Sequence, residues 1–481
     1  MQPALWLIVL PLAAAPLVYL FRRTGLGALV AALVTLFLAW LALRLPAGVV
    51  LNVLGRTIEL NQSSQLTLSL LFVASALLFL ISSASGPFIA GIRNKAIDAG
   101  VLTGAGRTFY PLSLGVLGVL AAAILSRHLG ITAILVQVAA ILGVFVIQGS
   151  RLASIRAAQR FLVLISLALP IFLLIAWRID LYQFAAETQT PRSLQQTALL
   201  VGIGFALWLA VVPFHSWVTA TTAEASPASA AFILLAFPVV ALLALIQLLA
   251  DAPWLVNVAP LGWAILVAGG LTAGVGGLMT GVQRGFSGLM GYAALYDLGC
   301  TLVVLGLGGP AAVLVIFVGL AVRALALTLL AASVSAFRLQ VPGDGFAQMS
   351  GLAARLPVAT AGVLIGGLTL AGAPLTVGFA LRWQLLQGLA HFEARWALAL
   401  GLAGLGVTIG YLRGLRALLA VSESREAGRL RRQPGGLVGQ EPFLLLVIIT
   451  LLGLACLLWG LFPDRLIEPV RAFTTELQLP L

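Results

Sequence analysis

The sequence predicts an all-α polytopic membrane protein with about 14 transmembrane helices, and three observations carry that expectation. Apolar residues make up 61% of the 481, charged residues only 9%, and the mean hydropathy is +1.11. A soluble chain of this length has no means of hiding so much apolar surface. Apolar runs of about 18 or more residues recur along the whole length, each enough to cross a hydrocarbon core of about 30 Å. The runs are continuous rather than alternating, which excludes a β-barrel.

The runs of the first part fall at 3–21, 25–44, 66–86, 109–127, 129–149, 158–177 and 194–217. Those of the second part fall at 224–250, 259–281, 285–307, 310–337, 353–390, 395–420 and 442–462. Two of them are interrupted. Pro213 lacks an amide hydrogen and its ring clashes with the preceding turn, so a helix through 194–217 must break or kink there. The run 353–390 is too long for one simple span, and Gly372, Ala373 and Pro374 in its middle predict a second broken helix. Paired interruptions in corresponding parts of two halves point to an inverted-repeat transporter.

Orientation follows from charge. The first run has no basic residue before it and Arg22 and Arg23 after it, the reverse of a secretory signal, so an uncleaved first helix is expected. Assigning alternate loops to the cytoplasm places Arg22, Arg23, Arg93, Lys95, Arg107, Arg151, Arg156, Arg160, Arg284, Arg338, Arg355, Arg413, Arg416 and the arginines of 422–439 on one side. The other side holds about half as many, so both termini are predicted outside, in a multi-pass protein of the cell (inner) membrane. The net charge of +12 is accounted for by this bias and by contact with lipid headgroups, and calls for no nucleic acid. The loop from Gly86 to Thr108 reads as a solvated cytoplasmic face, and helices one to three as a peripheral, lipid-facing group. Cys300 and Cys456 are isolated in apolar runs, without metal or disulfide spacing. No haem, iron–sulfur or flavin motif occurs, so no cofactor and no catalytic centre of the chain's own is expected.

Ionisable groups at membrane depth are candidate functional residues by default. His215 and Glu224 flank the first break and form either a proton-passing couple or hydrogen-bonded ties that hold the break together. Asp297 lies inside the run 285–307 and wants a cationic partner, for which Arg323 and Arg382 are the candidates. Arginine keeps its proton at any accessible pH, so Arg323 and Arg382 either set the field of a pathway or fix helix packing as buried ion pairs. Gln137 offers either an interhelical hydrogen bond or a place in a polar pathway. A many-helix carrier, such as a lipid-linked sugar flippase, also fits fourteen helices, but an arginine-rich, aspartate-poor interior does not suggest its large polar cavity.

Pro213, Phe214, His215 and Trp217, followed by Glu224, Ala225, Pro227 and Ser229, resemble the signature of the antiporter-like membrane subunits. These occur in respiratory complex I (NADH:quinone oxidoreductase), related hydrogenases and Mrp-type cation/proton antiporters. The stretch Gln283–Gly299 resembles a basic turn and helix start of the same family. The resemblance implies two inverted five-helix repeats, each with a broken helix, over 109–250 and 259–421. They follow an N-terminal three-helix segment and loop (1–108) and precede a cytoplasmic loop and C-terminal helix (422–481). It implies a membrane subunit that takes part in translocating protons or monovalent cations, coupled to a partner redox or transport module and bound to other membrane subunits. A divergent, non-pumping structural subunit is the alternative. The family's usual glutamate in the fifth helix falls at Gln137, its lysine five residues before the first break at Trp208, and a further lysine near Val239. Arg323 and Arg382 resemble positions where members often carry lysine. His215, Glu224, Asp297, Arg323, Arg382 and Gln137 are thus the candidates for ion translocation, with Pro213 and Pro374 as the helix-breaking residues.

Overall fold

Cap chemistry in the sequence sets where many of the helices begin. In the computed structural model, which describes residues 3–21, 26–53, 56–85, 108–149, 155–184, 190–258, 260–309, 311–341, 343–420 and 442–474, Asn61 Oδ1 accepts from the Ser64 amide at 2.8 Å to start α3 (Gln62–Ala84). The two helices before it are α1 (Trp6–Leu20) and α2 (Leu26–Arg44), and after it come α4 (Phe109–Leu125), α5 (Leu129–Gln148) and α6 (Ile155–Phe184). Thr190 caps α7 (Pro191–Trp208), and Ser226 caps α9 (Pro227–Asp251), each with proline in the first turn, where its missing amide hydrogen costs nothing. The short α8 (Ser216–Glu224) lies between them.

After the one-turn α10 (Trp254–Val258) the pattern recurs as α11 (Leu261–Val282), α12 (Phe286–Leu307), α13 (Ala312–Gln340), α14 (Pro357–Ala371), α15 (Gly378–Phe392) and α16 (Ala394–Leu419). The chain continues through α17 (Phe443–Leu461) and α18 (Asp464–Arg471). Each expected run coincides with a helix or with a pair of helices. Among the described residues ten helices are long and apolar enough to cross a membrane. Both expected interruptions are present, as gaps between α7 and α8 and between α14 and α15. The basic residues Arg22, Arg23, Arg93, Lys95, Arg107 and Arg151 and the loop 422–439 lie outside the described residues.

The layers follow from how each helix distributes its apolar surface. Helix α9 is apolar all round and buried along its spanning window, and it packs against α3, α4, α5 and α13. Helices α2, α5, α6, α16 and α17 each present an outer stripe of exposed Leu, Ile, Val, Phe or Trp, as lipid-facing helices must. In the second half α11 and α12 approach closely because small residues line the seam. A Cβ on Gly299 would lie 2.3 Å from the Ala273 amide nitrogen, so only glycine permits this contact.

The expectation that helices one to three form a lipid-facing group is corrected for α3. This helix packs against α2, α9 and α13 in the interior. Its Thr67, Ser69 and Ser75 are buried and return hydrogen bonds of 2.7 Å to carbonyls four residues back. Such local bonds let hydroxyls enter an apolar interior without an outside partner, and the resulting small-residue face is what admits α3 to the core.

Sequence reading also expected no strands, yet β1 (Val49–Val53) and β2 (Arg56–Leu60) pair antiparallel between α2 and α3. A bridge between Ile58 and Ser126 and a two-pronged ion pair tie this hairpin to the bundle: Arg127 Nε lies 2.7 Å and its NH2 nitrogen 2.9 Å from the two Glu59 oxygens. The hydrogen bond from Arg127, with its charge, outweighs burial and holds the Glu59 carboxyl below its ordinary value of 4.5. A carboxylate depressed in the folded state adds stability that is complete above its unfolded value and lost as pH falls through the folded one. Glu59→Gln is therefore expected to lower Tm at pH 7, and the gap to wild type should close below about pH 4. Thermal melts of both proteins across that range decide it, and a gap that persists in acid contradicts the assignment.

Candidate functional site

A helix interrupted at membrane depth frees amides and carbonyls that water does not reach, so protein groups must take them up. At the first break the chain turns through Ala210, a non-glycine residue at φ 51°, and the Val212–Pro213 peptide is cis. The freed Val211 amide bonds to the Ala206 carbonyl at 2.9 Å, and the Val212 amide donates to Thr272 Oγ1 of α11 at 3.2 Å. At the second break Gly372 takes φ 77° and Leu375 φ 69°. The Ala373 amide returns to the Leu368 carbonyl at 2.9 Å, and the Val377 amide reaches the Cys456 carbonyl of α17 at 2.9 Å. Ala210 and Leu375 are the positive-φ non-glycine residues among the described ones, and one stands at each interruption. Backbone strain of this kind is held only where surrounding bonds over-determine it.

The second break carries the charge. Arg382, on the first turns of α15, donates to Asp297 Oδ1 of α12, while Arg323 NH1 of α13 lies 2.9 Å from Asp297 Oδ2. Arg323 also donates to the Ala294 carbonyl at 2.8 Å and to the Leu234 carbonyl of α9 at 3.2 Å, so it fastens the second half to the first. The guanidinium of Arg382 sits 5.3 Å from the Tyr296 ring centroid, within cation–π range. A Cβ on Gly372 would fall 2.0 Å from Arg382 Cγ, so the glycine both supplies the left-handed turn and leaves space for the arginine stem. The side chains are nearly sealed: Arg323 is 3% exposed, Asp297 5% and Arg382 12%. One carboxylate serves two guanidiniums, which leaves a formal excess of one positive charge in the apolar interior.

The first half is arranged differently. His215 and Glu224 stand at opposite ends of α8, about 13 Å apart along the axis at 1.5 Å per residue, and form no couple. The Glu224 carboxylate instead accepts from the Ala157 amide of α6 at 2.9 Å, and His215 Nδ1 is buried without a hydrogen-bond partner among the described residues. Gln137 donates from Nε2 to Ser166 Oγ at 2.7 Å across α5 and α6. Trp208 is buried against Phe172, with ring centroids 4.0 Å apart, and Phe205 closes the stack at 6.0 Å. Val239 is buried in α9. Where the family resemblance places titrating groups, an amide, an aromatic stack and a valine stand.

Sequence reading counted Arg338 among cytoplasmic loop charges, and the structure corrects this. Arg338 is buried, donates to the Ala225 carbonyl at 3.1 Å and to Ser287 Oγ at 2.7 Å, and so pins the junction of α8 and α9 to α12. A charge closing an unusually long apolar run is the signal that was available. Thr272 and Tyr296 gave no such signal, because their roles arise only where separate helices meet.

Residues 121–408 match the family model described as NADH:quinone oxidoreductase/Mrp antiporter, TM. Formate hydrogenlyase subunit 3 of Escherichia coli is 25% identical over 371 residues, covering 73% of this chain and 60% of that protein. NADH-quinone oxidoreductase subunit N of Cereibacter sphaeroides is 30% identical over 281 residues, covering 57% of this chain and 58% of that protein. The matches thus span about three-fifths of the length of these curated relatives. In fold the chain is similar to a chain of the Mrp complex from Dietzia sp. DQ12-45-1b, with TM-score 0.78, 19% identity and coverage of 100% and 98%. A chain of respiratory complex I from Thermus thermophilus gives TM-score 0.73 at 19% identity, with coverage of 98% and 99%.

Removing the shared carboxylate strands two buried cations, a change that typically costs about 3–5 kcal/mol. Asp297→Asn is accordingly expected to destabilise the chain strongly, and Asp297→Asn combined with Arg382→Met to recover part of the loss. Denaturation of the three proteins in detergent tests this; equal stability of wild type and Asp297→Asn would mean that the cluster contributes no net attraction.

Proposed function

Because this chain belongs to the NADH:quinone oxidoreductase/Mrp antiporter membrane family, we propose that it is an antiporter-like subunit that moves protons, or monovalent cations, across the membrane under the drive of a partner module. The observation that carries this reading is the buried Asp297 shared by Arg323 and Arg382 beside a broken helix. Neither arginine gives up its proton at accessible pH, so the cluster sets a fixed, net-positive field beside the break. An ion passing the break meets that field, and Arg382 is the member free to answer, because it stands on the short helix that follows the break and is less enclosed than Arg323. Charge passing the break thereby couples to the position of α15.

In this reading the second half, over 259–421, carries the moving charge. The first half, over 109–250, is without a charged cluster at its break, where the Val212 amide is taken up by Thr272 of the second half. The related proteins are named as subunits of complex I, formate hydrogenlyase and Mrp assemblies, which supports other membrane subunits as partners. The distribution of arginine between alternate loops supports both termini facing outward.

Coupled proton flux in vesicles holding the intact native complex is the test. Arg382→Met removes one of the two guanidiniums, and coupled flux is expected to fall at least about tenfold, roughly the effect of one lost charge-assisted hydrogen bond, with the complex still assembled. His215→Ala is expected to leave most of the flux. Undiminished flux in Arg382→Met, with assembly verified by native gel, would remove the cluster from the pathway.

A further inference from the structure

Helices α11 and α16 pack side by side and run to the face on which the sequence collects most of its arginine. Small residues bring their backbones together: a Cβ on Gly410 would lie 2.5 Å from the Thr280 carbonyl oxygen. Leu278 and Val282 on one helix and Leu405, Ile409 and Leu412 on the other are exposed, an apolar stripe on each side of the seam. Where the stripes end, a cleft of 580 Å³ opens between Arg284, the segment 344–348 and Arg413 of α16. Its wall is firmly tied to α12. The Phe346 amide donates to the Arg284 carbonyl at 2.9 Å, and the Phe286 amide to the Asp344 carbonyl at 3.1 Å. Asp344 Oδ2 accepts from the Ser287 amide at 3.1 Å, and the Phe286 and Phe346 rings meet at 5.2 Å between centroids. Arg284 therefore leaves the backbone at a fixed place on the rim.

Two guanidiniums line this cleft against one carboxylate, and that carboxylate has an oxygen committed to the start of α12. Arg413 donates from NH1 to the Gly281 carbonyl, which holds its head at the end of α11. Arginine carries five N–H donors, so most of those on Arg413 stay open. The Arg284 side chain is exposed and makes no hydrogen bond among the described residues. Arg416, three residues beyond Arg413 and so on the same side of α16, is exposed as well. Open guanidinium donors suit an anion, and paired N–H groups match a phosphate in particular. The position narrows the choice further. Arg284 follows the exposed Val282 by two residues, so the charge begins where the lipid-facing stripe stops, at the level of a phospholipid's phosphodiester. A free anion has no use for the stripe, whereas a lipid contacts both.

We propose that this cleft binds the headgroup of an anionic phospholipid, with Arg284 and Arg413 on its phosphate and its acyl chains along the seam of α11 and α16. Basic pockets between membrane helices take anionic headgroups in this way. The site stands on binding alone and does not depend on the translocation reading. The test is native mass spectrometry of the full-length protein in uncharged detergent, titrated with phosphatidylglycerol or with phosphatidylcholine. The expected result is a tightly held phosphatidylglycerol that phosphatidylcholine does not displace. Its Kd should rise about fivefold in Arg284→Gln and again in Arg413→Gln, the effect of one basic residue at an anionic surface. It should stay unchanged in Arg192→Gln, which removes an exposed arginine at the start of α7, outside the cleft. If Arg413→Gln does not fold for want of its bond to Gly281, Arg284→Gln decides. Equal retention of the two lipids, or an affinity unshifted in Arg284→Gln, would show lipid held elsewhere and overturn the proposal. Displacement of the lipid by inorganic phosphate at constant ionic strength would overturn it too, by making the cleft a site for the free anion.

Discussion

Backbone groups freed inside a bilayer have no water to turn to, and the rest of this structure answers to that constraint. Each half interrupts a helix, and each interruption survives because a different helix supplies the missing partner: Thr272 of α11 at the first, the Cys456 carbonyl of α17 at the second. The breaks are therefore joints between elements rather than local defects. The first is fastened to the second half directly, and Arg338 repeats that fastening from α13.

The same constraint explains where charge is found. A break opens a polar spot in an apolar bundle, and a charged side chain is tolerated there if its hydrogen bonds are met. Asp297, Arg323 and Arg382 draw theirs from one another and from the carbonyls of Ala294, Leu234 and Leu370, with Arg323 Nε and Arg382 Nε left without a partner among the described residues. At the first break an aromatic stack around Trp208 fills the space instead, and the charged groups withdraw to the ends of α8. The two halves share a plan of helices and differ in chemistry. A carboxylate among fixed positive charges and a dry aromatic core are not interchangeable routes for a proton.

Much of this was legible beforehand. The apolar runs located the helices, because a chain that must satisfy its own backbone in lipid has little choice but to coil. Pro213 and Pro374 marked the breaks, because proline removes a donor wherever it stands. Asp297 announced the need for a cation, and Arg323 and Arg382 were the cations at hand. The misplacement of α3 has a physical origin too: serines that bond to their own helix look the same whether the helix faces lipid or protein. The hairpin escaped notice because two strands of five residues are too short to stand out beside helices of twenty or more.

By itself, then, the sequence determined the membrane class, the helical runs, their two interruptions and the identity of the charged groups, since each depends on local composition and on what a single residue does to its own backbone. Only the tertiary structure decided which groups meet. His215 and Glu224, nine positions apart, are held away from each other by a rigid helical rise, while Asp297 and Arg382, from different helices, share a hydrogen bond. Proximity along a helix is fixed at 1.5 Å per residue, whereas proximity between helices is set by side-chain packing, which no single stretch of the chain contains.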